Sequence, residues 1–216
     1  MPWPSKFFSP GAMGWFAWVP FMECYHGVVS FDHSIQGQLK LDSSWIDFTG
    51  GKGYTEKDWG KRFPSAWIWG QSNHFNRDGV SLMVSVAVIP WLGQSFAGFI
   101  IGLMHDGILY RFATYNRSKI EKISLSETEV NLLVTNPTHR LWIKALRVEG
   151  GLLQAPTKIS MDRRIIETIN ARFDIRLETK DGSVIFAGQG QHAGLETVGD
   201  LDQLIMKIDS HRLVYS

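Results

Sequence analysis

The sequence has 216 residues, of which 44% are hydrophobic and 20% charged, with 22 Lys and Arg against 21 Asp and Glu. This length predicts one large domain, or one domain with part of another, and the composition excludes a disordered chain. The net charge of +1 excludes a strongly basic nucleic-acid surface, and the single cysteine, Cys24, excludes a disulfide framework or a multi-thiolate metal site. We expect a globular, cytoplasmic protein.

Short strand patterns run through the chain, separated by Gly, Asp, Ser and Asn. Asp106-Gly107 and Asp181-Gly182 are typical two-residue hairpin turns. The segment 160–171 fits a helix or a twisted strand. The predicted strands, in chain order, are 28–32, 36–41, 45–48, 66–72, 82–89, 96–104, 108–114, 130–135, 140–148, 172–179 and 183–187.

One helix is predicted near the C terminus. Asp200 is a candidate N-cap, and apolar residues follow at helical spacing at Leu201, Leu204, Ile205 and Ile208. Many short antiparallel strands with little helix predict an all-β barrel or sandwich.

The aromatic content is unusual, with nine Trp, 13 Phe and five Tyr. Such side chains could serve as packing in a β-rich core. They could also form the walls of a hydrophobic cavity.

The stretch after the glycines at 50–53 carries two acidic residues, Glu56 and Asp58, with Lys57 between them. In an extended chain the two carboxylates share one face, while Lys57 and Trp59 share the other. Two neighbouring carboxylates raise the pKa of one of them, and an apolar wall raises it further, so this pair could supply a general acid. A solvated edge strand with alternating charges is the other interpretation.

The next predicted strand could form a binding wall. Its alternation places Trp67, Trp69, Gln71 and Asn73 on one face, and His74 on the other. Indole rings beside amide groups are typical of ligand pockets, and their faces stabilise cations. A strand with a Trp core and a polar surface fits the same pattern.

Other polar residues give weaker indications of a functional site. His26, His33 and His74 lack metal-ligand spacing, so we predict no metal site. Cys24 would share a strand face with His26, but a buried structural cysteine is the commoner case. Glu23 lies within an aromatic run, where a carboxylate is rarely unpaired, and is a candidate binding residue.

Several stretches together resemble the tocopherol cyclase family across nearly the whole chain. The long block YTEKDWG at 54–60 is the most specific of them. The stretches that carry the resemblance are PFMECYHGVVS at 20–30, YTEKDWG at 54–60, FPSAWIW at 63–69, QSNHF at 71–75, LQAPT at 153–157 and AGLE at 193–196.

The resemblance implies two lipocalin-like β-barrels in tandem. By that analogy, residues 1–49 would be the last strands of a truncated first barrel. Residues 50–216 would form the second, an antiparallel lipocalin-like barrel with the C-terminal amphipathic helix. A partial barrel exposes strand edges and apolar side chains, so we expect self-association.

The resemblance also implies a reaction, closure of a chromanol ring on a prenylated hydroquinone, with no cofactor. An acid protonates the tail alkene, aromatic walls tolerate the tertiary cation, and the phenol then attacks. The chain offers matching groups: Glu56 or Asp58 as the acid, Trp59, Trp67 and Trp69 as the walls, and Gln71, Asn73 or His74 to hold the quinol head.

Two other functions remain open. The block departs from the plant pattern at Asp58, where plant members tend to have Asn, so the protein could instead bind an isoprenoid or other lipid without turnover. A protein-interaction module with a filled core is the third hypothesis. An apolar small molecule is the expected partner, collected through peripheral membrane contact, with no nucleic acid.

Overall fold

The computed structural model describes residues 2–155 and 163–214. A 3₁₀ helix at Gly14–Trp18 precedes the strands. The described residues form β1 (Cys24–Ser34), β2 (Gln38–Leu41), β3 (Ser44–Asp47), β4 (Lys52–Gly60), β5 (Trp67–Ser72), β6 (His74–Phe75), β7 (Ser81–Trp91), β8 (Gln94–His105), β9 (Ile108–Ala113), β10 (Lys119–Leu125), β11 (Glu129–Thr135), β12 (His139–Leu146), β13 (Gly151–Ala155), β14 (Arg163–Thr179), β15 (Val184–Val198) and α1 (Leu201–Val214).

Eleven strands form one antiparallel, nearly closed barrel-like sheet. Its path runs β10-β11-β12-β14-β15-β5-β7-β8-β9, with β13 added beside β14 and β6 beside β15. The helix α1 packs against β8 and β10, and Leu204 and Ile208 enter the barrel core. The Asp200 carboxylate accepts the backbone N–H of Gln203 at 2.9 Å, so the predicted N-cap is confirmed. The predicted all-β fold with one C-terminal helix is confirmed as well.

The central strands are buried on both faces, and this explains their continuous apolar sequence. In β7, Leu82, Val84 and Val86 point into the barrel core. Met83 and Ala87 point outward and are buried by a different cluster of side chains. The outer face of the sheet must therefore be covered by a second layer.

That second layer is the N-terminal part of the chain. The strands β1 and β4 pair with each other in a separate two-stranded ribbon. The ring of Phe31 in β1 is fully buried and packs so close to Gly102 of β8 that a Cβ there would lie 2.6 Å from it. In a neighbouring cluster of the same layer, Met13 and Met22 pack against Ile100 of β8. The side chains of the N-terminal layer are therefore in direct contact with the outer face of the sheet.

Some elements differ from the sequence prediction. β15 runs eleven residues beyond the predicted end at 187, and β10 and β13 were not predicted. In the ambiguous segment 160–171, residues 163–171 form a strand, and residues 160–162 lie outside the described residues. Within the described residues, no helix has the length and apolarity needed to span a bilayer.

The predicted boundary at residue 49 falls between β3 and β4. The ribbon of β1 and β4 joins segments from both sides of that boundary. The division into two tandem barrels stays a prediction.

The buried face of α1 should stabilise the barrel. Leu204→Ala removes a fully buried side chain, and we expect the free energy of unfolding to fall by about 2–5 kcal/mol. Met206→Ala in the same helix, where the side chain is 64% exposed, should change it by less than about 0.5 kcal/mol. Equilibrium urea unfolding measures both, and equal losses would contradict this placement of the helix.

Candidate active site

A cavity of about 190 Å³ lies between the outer face of the sheet and the N-terminal layer. By contrast, a pocket among the apolar side chains of the barrel interior, in the described part of the chain, has a volume of only about 10 Å³, and such a space holds at most one water. The space for a ligand is therefore outside the barrel wall. Its apolar lining includes Met13, Phe16, Met22, Phe63, Trp67, Trp69, Ile89 and Phe96, and its polar lining includes Glu23, Cys24, His26, Glu56, Asp58 and Glu196.

Glu56 is a buried carboxylate held by two donors. Its Oε2 accepts the hydroxyl of Tyr54 and, at 3.2 Å, the indole N–H of Trp69. Burial raises the pKa of Glu56, while the charge of His26 and the two hydrogen bonds act in the opposite direction and only partly offset it. Glu56 therefore holds a proton more readily than an exposed glutamate.

His26 joins Glu56 to Asp58. Its Nδ1 lies 2.8 Å from an oxygen of Asp58 and 3.4 Å from one of Glu56. Burial lowers the pKa of His26, but the hydrogen bond to Asp58 and the charges of the two carboxylates outweigh it, so the net shift is upward. Its buried Nε2 has no hydrogen-bond partner among the residues that the structure describes. The cluster thus carries a proton close to the apolar cavity.

The two carboxylates share one face of β4 because the strand alternates regularly there. Its register pairs His26 with Asp58 and Val28 with Glu56 across the ribbon. One ligand atom from each of His26, Glu56 and Asp58 lies within 4.8 Å of the others, a spacing that could also hold a metal ion. The histidine set considered from sequence is not assembled, since His33 pairs with Gly53 and the ring of His74 meets that of His192 edge to face.

A second buried carboxylate, Glu196, was not singled out from the sequence. Its Oε2 accepts the indole N–H of Trp67 at 2.6 Å. Burial raises the pKa of Glu196 to about 7, helped by the charges of Glu167, Glu56 and Asp58 and opposed by the hydrogen bond from Trp67. The predicted strand ended at 187, before this residue, although alternation about the buried Leu195 would have placed Glu196 on the outer face.

Glu23 and Cys24 also line the cavity. The guanidinium of Arg62 donates to Glu23, with Nε at 2.7 Å, so this carboxylate is paired, as expected. Burial, followed by the negative charges of Asp58, Glu56 and Glu23, raises the pKa of the Cys24 thiol to about 12. Cys24 is thus a thiol at neutral pH and a poor nucleophile.

Four of the predicted binding residues are not among those lining the cavity. Trp59 points away from it on the other face of β4 and stacks on Tyr25, with centroids 5.5 Å apart. Gln71 lies further along β5, Asn73 follows the end of that strand, and His74 is exposed. We leave these four residues out of the site.

The environment of Cys24 predicts slow alkylation. With a pKa of about 12, against 9.0 for an unperturbed thiol, the thiolate fraction falls about 1000-fold at pH values near 8. We expect iodoacetamide to modify the folded protein at least about 100-fold more slowly than the urea-unfolded chain, measured by mass spectrometry. Similar rates in the two states would contradict the described burial.

Comparisons with known proteins bear on the family of this chain. The profile of the family described as tocopherol cyclase-like matches residues 1–199. A chloroplastic tocopherol cyclase of Zea mays is 29% identical over 151 residues, which cover 67% of this chain and 31% of the relative. A probable chloroplastic tocopherol cyclase of Oryza sativa subsp. japonica is 28% identical over 151 residues, covering 67% and 32%. The matched region therefore spans about a third of each plant relative.

Among solved structures, kievitone hydratase from Nectria haematococca is similar with a TM-score of 0.47 and 9% identity, covering 82% of this chain and 53% of that one. That score is too low to carry a conclusion. The match of the family profile to residues 1–199, most of the chain, is decisive: the chain belongs to the tocopherol cyclase-like family.

Proposed function

We propose that the protein closes a chromanol ring on a prenylated hydroquinone by protonating the tail alkene. The observation that carries this proposal is Glu56, a buried carboxyl with a raised pKa that faces an apolar cavity beside an indole ring. Alkene protonation needs an acid that keeps its proton more readily than an exposed carboxyl does, and burial shifts the pKa of Glu56 in that direction. Membership of the family supports the same chemistry.

The cavity suits the reacting end of such a substrate. A space of about 150 Å³ holds one benzene ring, so the observed 190 Å³ fits a substituted aromatic head with the first carbons of its tail. The faces of Trp67 and Trp69 would stabilise the tertiary cation formed by protonation. The cavity lacks room for a long prenyl tail, so we place the rest of the tail beyond its mouth.

Within the acidic cluster, we assign the proton donor to Glu56 rather than Asp58. The side chain of Glu56 is 12% exposed, against 30% for Asp58, and Asp58 is the closer partner of His26. Asp58 holds the His26 ring, whose Nδ1 lies 3.4 Å from a Glu56 oxygen, so the pair positions the Glu56 carboxyl. Asp58 thus supports the acid without delivering the proton.

Glu56→Gln should lower the rate of ring closure at least about 100-fold, since it removes the proton but keeps the hydrogen-bonded shape. Asp58→Asn should cause a smaller loss. Lys57→Gln, on the opposite face of β4, should retain the wild-type rate. The rate of ring closure is measured by chromatography, which separates the chromanol from its precursor of equal mass.

Full activity in Glu56→Gln would eliminate the proposed acid. The alternative function, a lipid-binding protein without turnover, is favoured by the mostly apolar lining of the cavity and by the short match to the plant relatives. It predicts that the wild-type protein retains the quinol unchanged.

Exposed aromatic side chains support contact with a membrane or a second copy. Phe16, which lines the cavity, stacks on Trp15 at 4.0 Å, and Trp15 is 46% exposed. Phe8 and Trp18 are 81% and 61% exposed. An apolar tail could follow this surface out of the cavity, and a cytoplasmic location stays part of the proposal.

We expect this surface to cause self-association. Light scattering after size-exclusion chromatography should give a mass above the 24.5 kDa of one chain, and the double substitution Phe8→Ser with Trp18→Ser should reduce it. A wild-type protein that elutes as a clean monomer would contradict the expectation.

A further inference from the structure

We propose that Glu196 is a second catalytic residue of the cavity, which accepts the phenolic proton while Glu56 donates the other to the alkene. This inference rests on the proposed function. It assigns separate residues to the two proton transfers that ring closure requires.

The two carboxylates are held by equivalent contacts on one strand. Trp67 donates its indole N–H to Glu196 at 2.6 Å, and Trp69 donates its own to Glu56 at 3.2 Å. The two tryptophans are two residues apart on the same face of β5, a spacing of about 7 Å between Cα atoms. Both carboxylates line the same cavity. An aromatic head between them could therefore reach one with its hydroxyl and the other with its tail.

Glu196 is in acidic surroundings. Glu167 on β14 is its direct cross-strand partner. Asp58 on β4 adds negative charge from across the cavity, and so does Glu56 whenever it is ionised. The other ionisable lining groups from the N-terminal layer are His26, the protonated Cys24 and Glu23, which is paired with Arg62. Tyr115 also lines the cavity. Arg147 donates to the neighbouring Thr197 at 2.9 Å.

This environment is unlike that of a structural carboxylate. A carboxylate buried for stability is usually paired with a cation. Among the described residues, a neutral indole donates to Glu196, and burial, with the charges of nearby carboxylates, raises its pKa to about 7. A group that titrates near neutral pH inside a cavity can accept and release a proton during turnover.

The step balances without an oxidant, reductant or co-reactant. The Glu56 carboxyl gives its proton to one alkene carbon, whose new C–H bond uses the π electrons and leaves a tertiary cation. A lone pair of the phenolic oxygen forms the C–O bond to that cation. The O–H bond breaks and its proton passes to the Glu196 carboxylate. Solvent then returns a proton to Glu56 and takes one from Glu196.

The pH dependence of kcat/KM for ring closure tests this role. Because the base must be ionised and the acid protonated, wild-type kcat/KM should rise about tenfold per pH unit below about 7 to a plateau, and fall again at higher pH as Glu56 loses its proton. Glu196→Gln keeps an acceptor for the Trp67 N–H, yet should lose at least about 100-fold at the plateau together with this pH limb. Its affinity for a non-reactive prenylated quinone, followed by tryptophan fluorescence, should stay close to wild type.

Glu167→Gln is the matched control, since Glu167 is not among the residues lining the cavity. Removing its charge should lower the pKa of Glu196 and move the limb to lower pH while leaving the plateau rate unchanged. If Glu196→Gln keeps both the wild-type plateau rate and the wild-type pH dependence of kcat/KM, this inference alone is overturned. A wild-type protein that closes no ring would overturn the proposed function and this inference with it.

Discussion

The site depends on two indole N–H groups of one strand that each hold a buried carboxylate. Burying a carboxylate without a donor costs several kcal/mol, and an indole supplies a donor while leaving an apolar face toward the ligand. Trp67 and Trp69 can do this together because β5 alternates and points both rings outward. Their placement in turn requires close packing on β15, where a Cβ on Gly194 would lie 2.9 Å from the ring of Trp69.

The location of the cavity follows from the burial of both sheet faces. Among the described residues, the barrel interior is packed with Leu, Ile, Val and Phe side chains around a pocket of only about 10 Å³. The outer face is covered by the ribbon of β1 and β4 and the segment before it, and the fit between these two layers is incomplete. Acidic groups come from both layers, Glu56 and Asp58 from the ribbon and Glu196 from the sheet. The site therefore forms only when the layers are packed together.

Much of the site could be predicted from the alternation of side chains along single strands. The spacing of Glu56 and Asp58 placed them on one face, and the outward face of β5 correctly joined Trp67 to Trp69. β5 ends at Ser72, one residue before Asn73, so the alternation of that strand does not decide where the Asn73 side chain lies. The strand prediction also missed Glu196. Glycines make the end of β15 unlike a strand in sequence, although in the structure neighbouring aromatic rings pack against these glycines. The layer on the outer face, and hence the cavity, depends on long-range packing that no local pattern contains.

The most direct test of this account is a crystal structure of the protein with a prenylated quinone that cannot cyclise. We predict that its ring lies between the sheet and the N-terminal layer, with one ring oxygen within hydrogen-bonding distance of Glu196 and the tail alkene beside Glu56. A ring inside the barrel, or at the surface away from Trp67 and Trp69, would contradict the central claim that the ligand site lies on the outer face of the sheet.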